Sequence, residues 1–128
     1  MNPVRQATVS VDQSAATMSK AVKRAAEILN VSQATLADVL GVSGATASRL
    51  FSGAYQLHPD RRREWEFATL FIRLFRSLDA IVGHGAEAHQ WLQGPNRAFA
   101  GERPIEIIRT AEGLIRVLQY LDAARGRI

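Results

Sequence analysis

The feature that most constrains the fold is a pair of short helix-forming segments between Val31 and Gly53. Ser32 and Ser43 each stand directly before one segment, where a serine hydroxyl can accept a hydrogen bond from the first turn of a helix. Gly41 lies between the segments, and glycine adopts the positive φ of a tight turn without steric cost. The pattern therefore predicts two short helices joined by a sharp turn.

The small and apolar residues of this stretch predict how the two helices pack. Ala37 is small enough to let a second helix cross close to the first, and Val42 is expected to fill the space between them. Apolar residues at helical spacing form the inner face of each segment. The residues expected to be buried are Leu36, Ala37, Leu40, Val42, Ala47 and Leu50.

The order Leu-Ala-x-x-Leu-Gly-Val-Ser, followed by Ser-Arg and a glycine, resembles the helix-turn-helix of Xre-type (Cro/cI-like repressor) domains. In such domains the second helix enters the major groove of DNA with its N-terminal residues at the base edges. The resemblance implies that Gln33 holds a phosphate and that Ser43 and Thr46 touch the DNA backbone. It places Gly44, Ala45 and Arg49 at base-facing positions.

Arg49 is the residue of this set that can read guanine with two hydrogen bonds. Gly44 and Ala45 replace the long polar side chains usual at base-facing positions, and Ala45 offers at most contact with a thymine methyl group. We therefore expect phosphate contacts to supply much of the affinity for DNA. A helix-turn-helix that serves only as a packing module remains the alternative.

Outside this pair, the spacing of apolar residues predicts further helices and an all-α fold. Residues 1–18 show no helical or strand periodicity and are expected to form a mobile arm, with the first helix running from Ser19 to Asn30. A long helix is expected from Asp60 to Val82. Because its apolar stripe is wide enough for two faces, it favours a homodimer interface. The stripe comprises Trp65, Ala68, Phe71, Ile72, Leu74, Phe75, Leu78, Ile81 and Val82.

The stretch from Trp91 to Gly113 places a loop and a short helix between two helices. Pro104 suits the first position of a helix, Thr110 can cap the last helix, and Gly113 inside that helix suggests the close approach of another backbone. The order Pro-Ile-Glu-Ile-Ile, then Thr-x-x-Gly, after a tryptophan resembles the C-terminal toxin-binding domain of the MbcA/ParS/Xre antitoxin family. We accordingly expect a helix-turn-helix domain over residues 19–59 and a small helical toxin-binding and dimerisation bundle over 60–128.

The resemblance implies an antitoxin that neutralises a RES-domain toxin, an enzyme that consumes NAD, and that binds operator DNA to repress its own operon. In that family the C-terminal end blocks the active-site cleft of the toxin. Arginines suit such a role because they pair with pyrophosphate. The inhibitory end would comprise Arg125, Gly126, Arg127 and Ile128, with Arg97 and Arg103 as further contacts.

Composition narrows the remaining function classes. The 128 residues carry a formal net charge of +4 and no cysteine, which excludes disulfides, a thiol nucleophile and cysteine-bound zinc. The spacing of His84, Glu87 and His89 does not suit a metal site, so we expect surface histidines, no cofactor and no enzymatic activity. No signal peptide or membrane span is expected, which points to the cytoplasm. The rival function is a dimeric transcriptional regulator with an effector-binding C-terminal domain.

The basic excess lies mostly in the second half of the chain and begins with Arg61, Arg62 and Arg63. At the start of a helix, positive charges oppose the helix dipole. The three arginines are therefore predicted to be exposed for a partner, with a solvated basic turn as the alternative.

Overall fold

The computed structural model describes the backbone of residues 3–83 and 85–126, and the side chains of these ranges from Val11 onward. Over these residues the chain is built of helices joined by short loops, which confirms the all-α prediction. The helices are α1 (Pro3–Leu29), α2 (Gln33–Leu40), α3 (Gly44–Ser52), α4 (Arg62–Val82), α5 (Ala86–Gln93), a 3-10 turn (Arg97–Phe99), α6 (Pro104–Ile107) and α7 (Ala111–Gly126).

Helix α1 is much longer than the sequence predicted, and the prediction of a mobile arm over residues 1–18 is wrong. The helix is continuous from Pro3, and Met1 and Asn2 lie outside the described residues. Ala15 is 2% exposed, and Ser19, which was expected to begin the helix, is buried within it. The Ser19 hydroxyl donates to the Ala15 carbonyl at 2.8 Å and accepts from the Leu57 amide at 2.9 Å. Tertiary packing of small side chains thus orders a segment that lacks an apolar stripe.

The helix-turn-helix follows the sequence prediction closely. Ser32 Oγ accepts from the Thr35 amide at 3.1 Å, and Ser43 Oγ accepts from the Thr46 amide at 3.0 Å. Gly41 has a φ of 71°, in the left-handed region that a tight turn requires. Leu36, Ala37, Leu40, Ala47 and Leu50 are all buried, whereas Val42 is only partly buried against the core.

Helix α4 is the centre of the fold and contacts four other helices of the chain. It packs against α1 and α2 of the N-terminal half and against α5 and α7 of the C-terminal half. Ala68, Phe71, Leu74 and Leu78 are fully buried in these contacts. Packing within the chain therefore covers part of the wide apolar stripe, and the rest of it is only partly buried: Trp65, Ile72, Phe75, Ile81 and Val82.

Gly113 lies where the backbone before α7 passes against α7 itself. A Cβ at this position would stand 1.8 Å from the Ile107 carbonyl oxygen. The Thr110 hydroxyl accepts from the Gly113 amide at 3.1 Å, so Thr110 caps the helix as predicted. The predicted close approach of a second backbone is confirmed, and glycine is required because no other residue leaves room for it.

Replacing Gly113 should be strongly destabilising. Gly113→Ala is expected to cost about 3 kcal/mol of unfolding free energy, because the new methyl group must displace backbone rather than a flexible side chain. Gly126→Ala is the matched control, since the same helix offers open space there. Urea unfolding followed by circular dichroism measures both. Equal midpoints for the two variants would contradict the close-packing interpretation.

Candidate functional sites

The exposed side of α3 carries the predicted DNA-binding residues. Gly44, Ala45 and Arg49 are exposed on the side opposite Ala47 and Leu50, which are buried. A short apolar inner face and a serine cap therefore suffice to present this surface to solvent. The structure leaves Arg49 as the one long, charged side chain among the three predicted base-facing residues.

The predicted phosphate-contacting residues lie at the starts of the two helices. Gln33 is the exposed first residue of α2. Ser43 Oγ donates to Thr46 Oγ1 at 3.0 Å, so the two hydroxyl groups form one polar unit at the start of α3. This arrangement suits contact with DNA phosphates through hydroxyl and backbone donors.

The beginning of α4 lies beside that polar unit, which the sequence did not predict. A surface groove of about 430 Å³ runs between the turn of the helix-turn-helix and Arg61, Arg62 and Arg63. Tyr55 also lines it and donates a hydrogen bond to Glu64 Oε1 at 2.6 Å. Burial, reinforced by this hydrogen bond, raises the pKa of the Tyr55 phenol. The tyrosine therefore stays neutral at physiological pH.

The last described turn of the chain is attached to α4 by a polar cluster. Ser77 Oγ donates to Asp122 Oδ1 at 2.8 Å, and Arg73 Nη2 donates to Asp122 Oδ2 at 2.9 Å. Arg125 Nη1 in turn donates to Ser77 Oγ at 3.3 Å. Sequence reasoning missed this cluster, although a serine within the apolar stripe of α4 was a signal for it. Gly126 is exposed at the end of α7, and Arg127 and Ile128 lie outside the described residues.

Arg97 and Arg103, both predicted toxin contacts, have different surroundings. Arg97 is exposed in the 3-10 turn. Arg103 donates to the Gln93 carbonyl at 2.7 Å and to Gln93 Oε1 at 2.5 Å, and so closes the loop that follows α5. Arg103 therefore has a structural role, whereas Arg97 is presented to solvent.

An aromatic cluster adjoins Arg97. The rings of Trp91, Phe99 and Tyr120 pack together with centroids 5.2 to 6.4 Å apart. Phe99 is buried, while Tyr120 remains 40% exposed. This mixture of a rigid core and an exposed aromatic edge is typical of protein-binding surfaces.

The two halves of the molecule are joined by polar contacts as well as by α4. Arg109 donates to Asp38 Oδ2 on α2 from Nε at 2.8 Å and from Nη2 at 2.7 Å. The hydrogen bond to Asp38 is the main reason that the pKa of Arg109 is raised. His89 Nδ1 lies 3.1 Å from the Leu29 carbonyl oxygen. His89 is thus half-buried rather than a free surface residue, and His84 lies outside the described residues.

Membrane-spanning helices and metal-binding clusters are both absent from the described residues. Over residues 3–83 and 85–126, none of the helices combines the length and apolarity required to cross a bilayer. Among the same residues, histidine and carboxylate side chains do not gather in groups of three or more that could hold a metal ion.

The fold and these surfaces define a class of protein, in which a helix-turn-helix domain is continuous with a helical C-terminal domain. The family model for the antitoxin Xre-like helix-turn-helix domain matches residues 11–73. The model of the antitoxin Xre/MbcA/ParS C-terminal toxin-binding domain matches residues 77–127. The chain therefore belongs to the Xre/MbcA/ParS antitoxin family. These matches meet within α4, and the division predicted between residues 59 and 60 stays a prediction.

Two further likenesses concern single proteins. The crystal structure of the M. tuberculosis MbcT–MbcA toxin-antitoxin complex contains a chain with a similar fold, at a TM-score of 0.61 and 21% identity, over 86% of this chain and 95% of that chain. A segment of 43 residues is 54% identical to part of 6-hydroxy-3-succinoylpyridine 3-monooxygenase HspA from Pseudomonas putida (strain DSM 28022 / S16). That segment is 34% of this chain and spans only 14% of the monooxygenase.

Removing the acceptor of the polar cluster should loosen the end of α7. Asp122→Ala leaves the buried Ser77 hydroxyl without its acceptor and Arg73 without its ion pair, which should cost about 1–2 kcal/mol of unfolding free energy. Gln119→Ala on the exposed side of the same helix is the control. Amide hydrogen exchange should show faster exchange confined to the last turns of α7. Unchanged exchange in Asp122→Ala would mean that apolar packing alone holds this end.

Proposed function

We propose that this chain is the antitoxin of a type II toxin-antitoxin system, and that it neutralises an NAD-consuming RES-domain toxin. The observation that carries the proposal is the order of the two family matches, a helix-turn-helix followed by a toxin-binding domain on one chain. The chain acts as an inhibitor in this proposal and has no catalytic activity of its own. Its site of action is the cytoplasm, where a toxin that consumes NAD has its substrate.

The inhibitory element of this proposal is the C-terminal end of the chain, Arg125–Ile128. A cleft that accepts NAD must bind a pyrophosphate, and arginine side chains or a terminal carboxylate can occupy such a cleft in competition with the dinucleotide. The attachment of Asp122 and Arg125 to Ser77 supports this role, because it holds the last described turn of α7 in one direction. A preorganised end loses less entropy when it binds.

The body of the C-terminal domain supplies a second contact with the toxin. Tyr120 is exposed beside the Trp91–Phe99 pair, Arg116 lies 5.2 Å from the centroid of the Phe99 ring, and Arg97 is exposed in the 3-10 turn that carries Phe99. Aromatic and arginine side chains dominate the energetics of protein interfaces, so this surface suits a protein partner. Arg103 contributes mainly by fixing the loop on which this surface rests.

The N-terminal half is proposed to bind operator DNA and to repress the operon. Arg49 is the candidate for base recognition, and Gln33, Ser43 and Thr46 are candidates for backbone contacts. A homodimer would place two α3 helices on half-sites about one helical turn apart. The surface proposed for the second copy is a groove between α1 and α4, where Met18, Trp65 and Ile72 lie among polar residues that include Arg73 and Arg76.

The rival function, a regulator with an effector-binding C-terminal domain, would favour an apolar pocket between the C-terminal helices. The groove between α6 and α7 holds about 620 Å³ but is open and carries three carboxylates, those of Glu102, Glu106 and Glu112. Its lining therefore does not favour an apolar effector.

Two C-terminal deletions test the inhibitory end. Deleting Arg125–Ile128 should abolish protection against the co-expressed toxin, while DNA binding and dimer mass change little. Deleting only residues 126–128 keeps the hydrogen bond from Arg125 to Ser77, so it separates the inhibitory role from the structural one. Cell growth and intracellular NAD are the measurements. Full protection by both truncated chains would contradict the proposal that the C-terminal end blocks the toxin.

A single substitution tests base recognition. Arg49→Ala should weaken binding to the DNA upstream of the coding sequence by about 1–3 kcal/mol and weaken binding to mixed-sequence DNA much less. Arg97→Ala removes the same charge far along the chain and serves as the control. Fluorescence anisotropy on both duplexes measures the difference. An equal loss on both would reassign Arg49 to a phosphate contact.

A further inference from the structure

We propose that Arg61, Arg62 and Arg63 bind a backbone phosphate of duplex DNA beside the recognition helix α3. The groove between these arginines and the start of α3 is called the arginine groove below. The inference rests on the proposed DNA-binding function and extends it to a contact made by α4, which begins ten residues after α3 ends. It assigns the electrostatic part of DNA binding to residues outside the helix-turn-helix motif.

The location of the arginine groove is the first observation. It is lined on one side by Gly41, Ser43 and Thr46, from the turn and the start of α3, and on the other by the three arginines. These are the elements that a helix-turn-helix directs toward DNA. A phosphate of the strand that borders the occupied major groove would therefore meet the arginines and the start of α3 together.

The second observation is that two of the guanidinium groups are held in place. The Arg61 guanidinium lies 5.0 Å from the centroid of the Tyr55 ring, and that of Arg63 lies 5.7 Å from the centroid of the Phe67 ring. Stacking on an aromatic face limits the rotamers of a long side chain and leaves its N–H donors at the edge available. The groups are thus partly ordered before a ligand arrives.

The third observation is that the three positive charges exceed the charge of the carboxylate that lines the groove with them. Glu64 is the carboxylate that lines the groove, and its Oε1 already accepts from the Tyr55 hydroxyl at 2.6 Å. None of the three arginines forms an ion pair with a described carboxylate, whereas Arg73 and Arg109 do. Positive charges at the start of α4 also oppose its dipole, which costs stability. The cluster is therefore explained better by an anionic ligand than by the fold.

The hydroxyl groups at the start of α3 complete a phosphate site. Thr46 Oγ1 accepts from Ser43 Oγ at 3.0 Å, so its own hydrogen can be donated to a phosphate oxygen. Arginine can present two parallel N–H groups to the same phosphate. Gly44 and Ala45 contribute few base contacts. If the groove supplies the affinity, Arg49 alone is enough to select the position of the protein along the DNA sequence.

The salt dependence of DNA binding tests the proposal in the full-length chain. The variants are the single Arg62→Gln, the triple substitution of Arg61, Arg62 and Arg63 by Gln, and Arg97→Gln as the matched control. The association constant K falls as salt rises, and each phosphate contact that is lost should make the slope of log K against log[salt] less steep by about 0.9. At 0.1 M salt, each lost contact should weaken binding about eightfold. The loss should be equal on the DNA upstream of the coding sequence and on a mixed-sequence duplex. A triple substitution by Lys should retain most of the slope.

Several results would overturn the inference. An unchanged slope in both Gln variants, or a loss confined to one sequence, would show that the groove does not hold a phosphate. Unchanged DNA binding together with weakened toxin binding would assign it to the protein partner instead. If the wild-type chain bound no duplex at any salt concentration, the DNA-binding function would fail as well. Within the described residues the Arg62 side chain forms no hydrogen bond, ion pair or ring contact, so its substitution tests the proposal even if the triple Gln variant unfolds.

Discussion

The burial of the core residues of α4 against helices of both halves is the constraint on which the rest of the structure depends. Phe71, Leu74 and Leu78 are removed from water by helices of both halves, so neither half has a complete core without it. The helix-turn-helix and the toxin-binding domain are therefore continuous through a shared helix rather than joined by a linker. Close-packed interiors deform little. A tilt of α4 that begins in one half therefore requires the side chains of the other half to repack.

Polar contacts fix the orientation of the helices that surround this apolar centre. The Arg109–Asp38 pair joins the segment before α7 to α2, and the Asp122–Ser77 hydrogen bond attaches the end of α7 to α4. Such contacts contribute modestly to stability, since exposed ion pairs are worth little. Their effect is to fix orientation. The proposed toxin-blocking end is thus tied to α4, and the helix-turn-helix is tied through α2 to the segment before α7.

The sequence predictions were correct where the physical cause lies within a few residues, and they failed where it lies far along the chain. Ser43 as a cap and Gly41 in its turn were correct because the signal lies within a few residues of the effect. The start of α1 was wrong because Ala15 is buried by packing that no local pattern announces. The same reason explains the candidate sites. The positions of Arg49 and Arg97 on exposed surfaces were predictable from their elements, whereas the partner of Ser77 lies 45 residues along the chain.

The sequence by itself determined the class of fold, the family, the two capped helices and the need for glycine at position 113. Each of these features depends on neighbouring residues or on a sequence motif. Only the tertiary structure decided that Arg61–Arg63 face the start of α3 and that Arg125 is tied to α4. It also showed that α4 contacts helices of both halves of the chain. These facts depend on the distance between residues far apart in sequence, which is set when the apolar faces of the helices meet.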